Sequence, residues 1–178
     1  MTIYLQSPDK TQISVFQNEN QIGASFIDWV KLTDKEITDY FLEKEKNKKL
    51  ADLDNYHDSE EIRNFKIKTP KNLFTYSTLP DARNILVEQI DANRNGIECG
   101  LITIDKAGFL FFQNGKAEFI LLNNLKIIYA KLMEIVNKNF RTKLAHIAKI
   151  DKITNLQELE SYDFKTNYLA NQIIEITQ

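Results

Sequence analysis

Residues 121–150, LLNNLKIIYAKLMEIVNKNFRTKLAHIAKI, followed by Asp151-Lys-Ile-Thr-Asn-Leu-Gln-Glu-Leu-Glu-Ser-Tyr-Asp-Phe164, decide the architecture. Apolar residues at 121, 125, 128, 132, 135/136, 140, 144 and 147/148 recur at mixed three- and four-residue steps, the spacing of one face of an α-helix. At a rise of about 1.5 Å per residue this predicts one amphipathic helix about 40 Å long. A stripe of that length usually finds a partner, either another chain or the charged connector helix over 33–64. Thr154-Asn-Leu-Gln157 then reads as a capping box, a side chain at each end satisfying a backbone N–H of the other. Leu156, Leu159 and Tyr162 turn one face of the short helix it starts toward a core. Neither stretch contains a plausible catalytic group, so shape or contact is the expected role.

Upstream, Leu101–Ile104, Phe109–Phe112 and Ala117–Leu122 are β-prone runs separated by Asp105-Lys-Ala-Gly108 and Gln113-Asn-Gly-Lys116. Asn-Gly between apolar runs is a strong hairpin signal, because both residues accept positive φ. The expectation is a three-stranded β-meander. Alternate residues of a strand face opposite sides, so most of Phe109, Phe111, Phe112 and Phe119 belong to a core. If Phe111 faces out while Phe109 points in, it marks a contact surface. The candidate contact residues are Trp29, Phe111, Phe112 and Phe119. Before the meander, Thr78-Leu-Pro-Asp81 starts a helix, with Pro80 tolerated in the first turn and Asp81 favoured by the helix dipole. Ile85, Leu86 and Ile90, with Val87, form its apolar side, and Asp91-Ala-Asn-Arg-Asn-Gly96 is expected to end it. Phe65–Ile67 and Leu73–Tyr76 are further β-prone pieces, split by Thr69-Pro-Lys-Asn72.

The first thirty residues read as a small sheet of Ile3–Leu5, Ile13–Phe16 and the apolar stretch Ile22–Val30, in which Trp29 reads as an anchor. Thr33-Asp-Lys-Glu36 is a capping box opening a helix that is apolar at Ile37, Tyr40 and Phe41, charged through Lys44-Glu-Lys-Asn-Lys-Lys49, and apolar again at Leu50, Leu53 and Tyr56. Such a helix reads as a connector that stands off the core in its middle. The predicted fold is α+β: an N-terminal β-rich unit over 1–32, a charged helical connector over 33–64, and a C-terminal α+β domain over 65–178 made of a helix, the meander, the long helix and the short helix. The tail, Tyr168 to Gln178, reads as either a final strand or a helix turn.

A chain of 178 residues that is 43% hydrophobic can bury roughly two-thirds of its unfolded surface without staples. The net charge of −2 supplies no concentrated basic footprint, which argues against nucleic acid as a partner. No apolar run approaches the about 20 residues of a membrane span. The first ten residues lack the basic region and apolar core of a signal peptide, so the expectation is a chain made and folded inside a cell. Cys99 is the single cysteine and reads as a small buried residue. With no Cys/His cluster at metal-finger spacing, no metal or other cofactor is expected. Asp91 to Gly96 has the opening of a calcium loop, but the twelfth position is Ile102, where a bidentate Glu is required. Acidic pairs such as Glu88/Asp91 and Glu158/Glu160 are of the kind every helix surface offers. None of the five glycines sits in a phosphate-cradling pattern, and no serine in a nucleophile elbow. The chain is not expected to be an enzyme.

Asp81-Ala-Arg83 at a helix start, a strand-and-turn region, the long helix Asn123 to Ala148, and Ile153-Thr-Asn-Leu-Gln-Glu-Leu-Glu-Ser-Tyr-Asp-Phe164 together resemble an uncharacterised domain of tailed-phage and prophage tail-fibre and tail-fibre-assembly proteins. Gly23 to Asp34, leading into a Lys/Glu-rich helix, looks like the front part of the same kind of small protein. Where the family often has a Trp in the middle β-region, this chain has Phe109 and Phe111, and its long helix is rich in Asn, Lys and Ile instead of Ala. The resemblance implies a non-enzymatic protein bound to the tail-fibre protein, as an assembly helper or as a minor component of the fibre tip. It also implies a place in the host bacterial cytoplasm during assembly, or on the virion tail. It transfers no catalytic residue. The long helix is compatible with a homo-oligomer without requiring one. Two alternatives belong to other classes: an immunity or antitoxin protein that plugs a toxin's active site, and a small enzyme whose site is assembled from distant residues.

Overall fold

The computed structural model describes residues 2–177. Its fold is α+β. In chain order the elements are β1 (Ile3–Gln6), β2 (Ile13–Phe16), β3 (Val30–Lys31), α1 (Asp34–His57), α2 (Glu60–Arg63), β4 (Asn64–Lys68) and β5 (Leu73–Ser77). They continue with α3 (Pro80–Glu98), β6 (Gly108–Gln113), β7 (Lys116–Leu121), α4 (Leu122–Lys152), α5 (Leu156–Ser161) and β8 (Ile173–Glu175). Two compact units result, one of Met1–Leu50 with Ile150–Tyr162, the other of Ala51–Lys149 with Asp163–Gln178.

In the first unit β1 lies between β2 and β3, antiparallel to both. Ile3 and Leu5 alternate into the interior. The expected apolar strand over Ile22–Val30 is instead a pair of short 3-10 turns, Glu19–Gln21 and Ala24–Phe26, and only Val30–Lys31 reaches the sheet. Asn18 caps the first turn, accepting from the Asn20 N–H at 3.1 Å. Edge-on aromatic contacts of Phe26 with Phe16 and Trp29, at 5.0 and 4.8 Å between ring centres, fold the segment onto itself. The capping box at Thr33 forms as read. The Thr33 N–H donates to the Glu36 carboxylate at 2.8 Å, and the Glu36 N–H donates back to the Thr33 hydroxyl at 3.3 Å. The Thr33 N–H and the Thr33 hydroxyl, both donating to the Glu36 carboxylate, hold that carboxyl below its usual range. At α5 the cap is one residue later than read. Asn155, not Thr154, accepts from the Glu158 N–H at 2.8 Å, its backbone still extended.

In the second unit β4 is central, antiparallel to β5 and parallel to β8. Phe65 and Ile67 point to one face and are buried, while Lys66 and Lys68 point to the other and are exposed, the alternation of a sheet covered on one side. The core joins that face to Leu86 and Ile90 of α3, Phe111 and Ile120 of the hairpin, and Leu122, Leu125, Ile128, Leu132 and Ile135 of α4. Along α4 the row of buried residues follows the reading only as far as Ile135. It then continues through Asn139, Thr142 and His146, while Phe140 and Leu144 stand 55% and 48% exposed.

α3 does not end at Asp91–Gly96 but runs to Glu98. Gly100, with φ +70°, terminates it, as the Gly100 N–H reaches the Ile97 carbonyl and the Leu101 N–H reaches that of Gly96. At Gly96 a Cβ would meet the Ile102 side chain at 2.9 Å, so a larger residue there would need that side chain to shift. The third meander strand is absent. Leu101–Ile104 is a loop wrapped over the end of α3, with Leu101 and Ile104 exposed. β6 and β7 therefore form a two-stranded hairpin. Without a third strand, the start of β6 takes its partner from a side chain. The Asn93 carboxamide accepts from the Gly108 N–H at 2.7 Å and donates to the Gly108 carbonyl at 3.0 Å. Asn93→Ala leaves both backbone groups without that partner and is expected to cost about 1–3 kcal/mol, read as a lower urea midpoint at unchanged slope. A midpoint equal to the parent's would show that water replaces the carboxamide at no cost.

Candidate functional site

The hairpin turn is Asn114-Gly115, both residues at positive φ (52° and 75°), as the sequence predicts. A two-residue turn fixes the register, so Leu110 lies opposite Phe119, Phe111 opposite Glu118, and Phe112 opposite Ala117. One face, with Phe111, Glu118 and Ile120, is buried; on the other, Leu110, Phe112 and Phe119 are 55%, 72% and 43% exposed. Phe111 is thus corrected from contact residue to core. Its position shares a face with Ile120, and its ring packs against Phe74 at 5.8 Å and Tyr76 at 5.6 Å. Trp29 is half-buried beside Phe26 in the other unit. Of the four residues read from the sequence, the structure brings Phe112 and Phe119 onto one face and adds Leu110. Counting outward from Asn-Gly places 110 against 119, so the signal for Leu110 was present.

Polar side chains fix the seat of this hairpin. The Gln113 carboxamide accepts from the Thr75 N–H at 2.8 Å and donates to the Thr75 carbonyl at 3.1 Å, joining β6 to β5 in place of a backbone ladder. On the inner face the Glu118 carboxylate accepts from the Thr69 hydroxyl at 2.6 Å and from the Asn72 amide at 2.8 Å. The β4–β5 turn is thereby tied to β7. Phe119 lies over Gly108, where a Cβ would come within 2.8 Å of its ring, so the aromatic covers the backbone that the glycine leaves bare.

The polar half of the buried row on α4 serves a different segment. Residues 163–172 are irregular, with Asn167 and Asn171 at positive φ, and their backbone groups need partners. Asn139 donates to the Leu169 carbonyl at 3.2 Å and accepts from the Leu169 N–H at 2.7 Å. Thr142 donates to the Asn167 carbonyl at 3.3 Å, and His146 Nε2 lies 2.9 Å from that of Thr166. The Tyr168 ring stacks on His146 at 5.8 Å and sits 5.9 Å from His57. Burial, reinforced by Lys143 and opposed by Asp58, pushes the His57 imidazole below its ordinary value. Elsewhere, Asp91 pairs with Arg94 at 3.8 Å on α3, and Cys99 is exposed instead of buried. Among the described residues no group of three His, Cys, Asp or Glu side chains is placed to hold a metal, and no helix is long and apolar enough to cross a membrane.

With the folded-state pKa of His57 depressed, the unfolded chain binds more protons, and stability rises with pH through that window. The contribution is complete above about pH 6.5, the unfolded value, and is lost as pH falls through the folded one. The urea midpoint is therefore expected to drop as pH falls below about 6.5, and His57→Gln to remove a measurable part of the drop. A variant that keeps the whole drop would assign it to other groups.

Comparison with family models, with curated proteins and with solved structures finds no match to this chain.

Proposed function

We propose that the chain acts by protein–protein contact through the outer face of the β6–β7 hairpin, as a tail-fibre-associated protein. In this reading it is a helper in fibre assembly or a minor component of the fibre tip. The observation that carries the contact is the cluster of Leu110, Phe112 and Phe119, adjacent on one face and each exposed over a substantial part of its surface. Single exposed apolar residues are ordinary, whereas contiguous ones mark interaction sites. The same face is held in place by Gln113 and Glu118, so it is presented ready-formed and little ordering cost falls on binding. The tail-fibre assignment is supported by the resemblance of Asp81-Ala-Arg83, Asn123–Ala148 and Ile153–Phe164 to the tail-fibre-assembly domain. Trimeric β-rich fibres assemble slowly and expose unpaired strand edges meanwhile. β7, which has no second strand neighbour among the described residues, offers an edge for strand addition beside the apolar face.

The test is capture with the tagged chain in its native host during prophage induction, alongside a Leu110→Ser, Phe112→Ser double variant. Both residues face water, so the variant is expected to keep its unfolding free energy within about 0.5 kcal/mol of the parent. The parent should retain a stoichiometric tail-fibre protein, and the variant should lose at least about tenfold of it. Equal capture by both would remove the hairpin face from the interaction. Capture of a small toxin instead would replace the fibre reading with the immunity one.

A further inference from the structure

Away from the hairpin, Leu79, Val136 and Phe140 form the apolar walls of a groove of about 360 Å³ into which Arg63, Arg83 and His57 also open. The volume falls within the range of small-ligand sites. Two of these walls are large apolar side chains left substantially open, Leu79 at 42% and Phe140 at 55%. No Asp or Glu lines the groove. The guanidinium of Arg63 is paired with Asp58. Arg83 has no ion pair among the described residues, and its Nε–H is buried with no hydrogen-bond partner. The Nδ1 atom of His57 is likewise buried and without a partner. Buried polar groups are nearly always bonded, so Arg83 and His57, two groove-lining residues that each carry a buried polar atom without a hydrogen-bond partner, mark the groove as a place where a ligand can bind.

We propose that this groove binds a carboxylate carried on an apolar body, the chemistry of a peptide chain that ends in an apolar residue. The charge present selects the anion. Asp58 already balances Arg63, and burial favours the neutral form of His57. One uncompensated cation, Arg83, remains, which matches a monoanion better than a doubly charged phosphate. The planar guanidinium fork fits a carboxylate bidentately, and Leu79, Val136 and Phe140 supply the surface that an apolar side chain next to the carboxylate would cover. The α3 terminus contributes to the same end of the groove, since Leu79 caps the helix with no side-chain acceptor and Pro80 follows it. The exposed carboxylate of Asp81 in that first turn does not line the groove. This site is independent of the hairpin face and of the tail-fibre reading.

The test is titration of the full chain, followed by calorimetry and by the arginine Nε–Hε resonances, with the N-acetylated tetrapeptide Ala-Ala-Ala-Phe bearing a free carboxylate. Its C-terminal amide, hexanoate and inorganic phosphate serve as comparisons. The acid is expected to shift the Arg83 resonance and to bind at least about tenfold more tightly than the amide. Arg83→Gln should weaken it by a similar factor. Phe140→Ser, at an exposed position that leaves the fold intact, should weaken it too and keeps the test open if Arg83→Gln does not fold. Hexanoate binding as tightly as the peptide would support the same chemistry and identify a free carboxylic acid as its source; hexanoate much weaker would identify a chain terminus. Equal binding of acid and amide, phosphate binding as tight as the acid, an unmoved Arg83 resonance, or no binding by either carboxylate would each overturn the proposal.

Discussion

Halfway along α4 the buried row turns from hydrocarbon to side chains that hydrogen-bond backbone, and the larger unit depends on that change. Up to Ile135 its inward row is Leu, Leu, Ile, Leu and Ile, packed against the β5-β4-β8 sheet and the hairpin. From Asn139 to His146 the same geometric row is Asn, Thr and His, before Ile150 makes it apolar again. An apolar continuation would strip water from the backbone of residues 163–172 and return nothing, at a cost of about 1–3 kcal/mol per buried unpaired group. The polar row prevents this. By fixing Leu169, Asn139 also sets the path into β8, whose Ile174 then registers with Ile67. A helix side chain thus positions a strand that closes the sheet on its far edge.

The same constraint governs the hairpin. An isolated two-stranded hairpin is marginal in water, and β6–β7 obtains its missing lateral partners from side chains. Asn93 holds the Gly108 end, Gln113 the Thr75 side, and Glu118 the β4–β5 turn. Phe111 and Ile120 supply the buried area beneath, each worth about 1.5–3 kcal/mol on full burial. Polar clamps of this kind specify a position more sharply than hydrocarbon does, because a displacement of an ångström breaks a hydrogen bond while apolar surfaces still touch.

How much of this was legible in the sequence follows from the range of each signal. Local signals were read correctly: the Thr33–Glu36 box, Pro80 at a helix start, Asn114-Gly115 in its turn, and the apolar face of α4 to Ile135. Leu101–Ile104 failed because β-prone residues make a strand only where another strand can pair with them. Here Gly100 turns the chain over the end of α3 before that happens. Phe111 failed for lack of one fact, which face of the hairpin meets Phe74 and Tyr76, and no local pattern carries it. The Asn139, Thr142 and His146 row went unread because its partners are backbone atoms some twenty to thirty residues away. Arg63, Arg83 and Phe140 meet in the groove from three separate helices. Each looks like an ordinary surface residue until the fold joins them.

A consequence of strand alternation is that buried and exposed apolar residues are divided between the two faces of one hairpin. Phe111 and Phe112 are adjacent in sequence and chemically identical, yet one is 5% and the other 72% exposed. Replacing the first would open a cavity against Phe74 and Tyr76; replacing the second removes only surface that water already reaches. The division recurs on α4, where Asn139 is bonded within the unit while neighbouring Phe140 faces the groove. An apolar residue that the fold does not use, placed beside one that it does, costs solubility without contributing packing. A partner covering it turns that cost into binding free energy. Pairs of this kind, at Phe111/Phe112 and Asn139/Phe140, are where the buried interior of this protein gives way to exposed apolar surface.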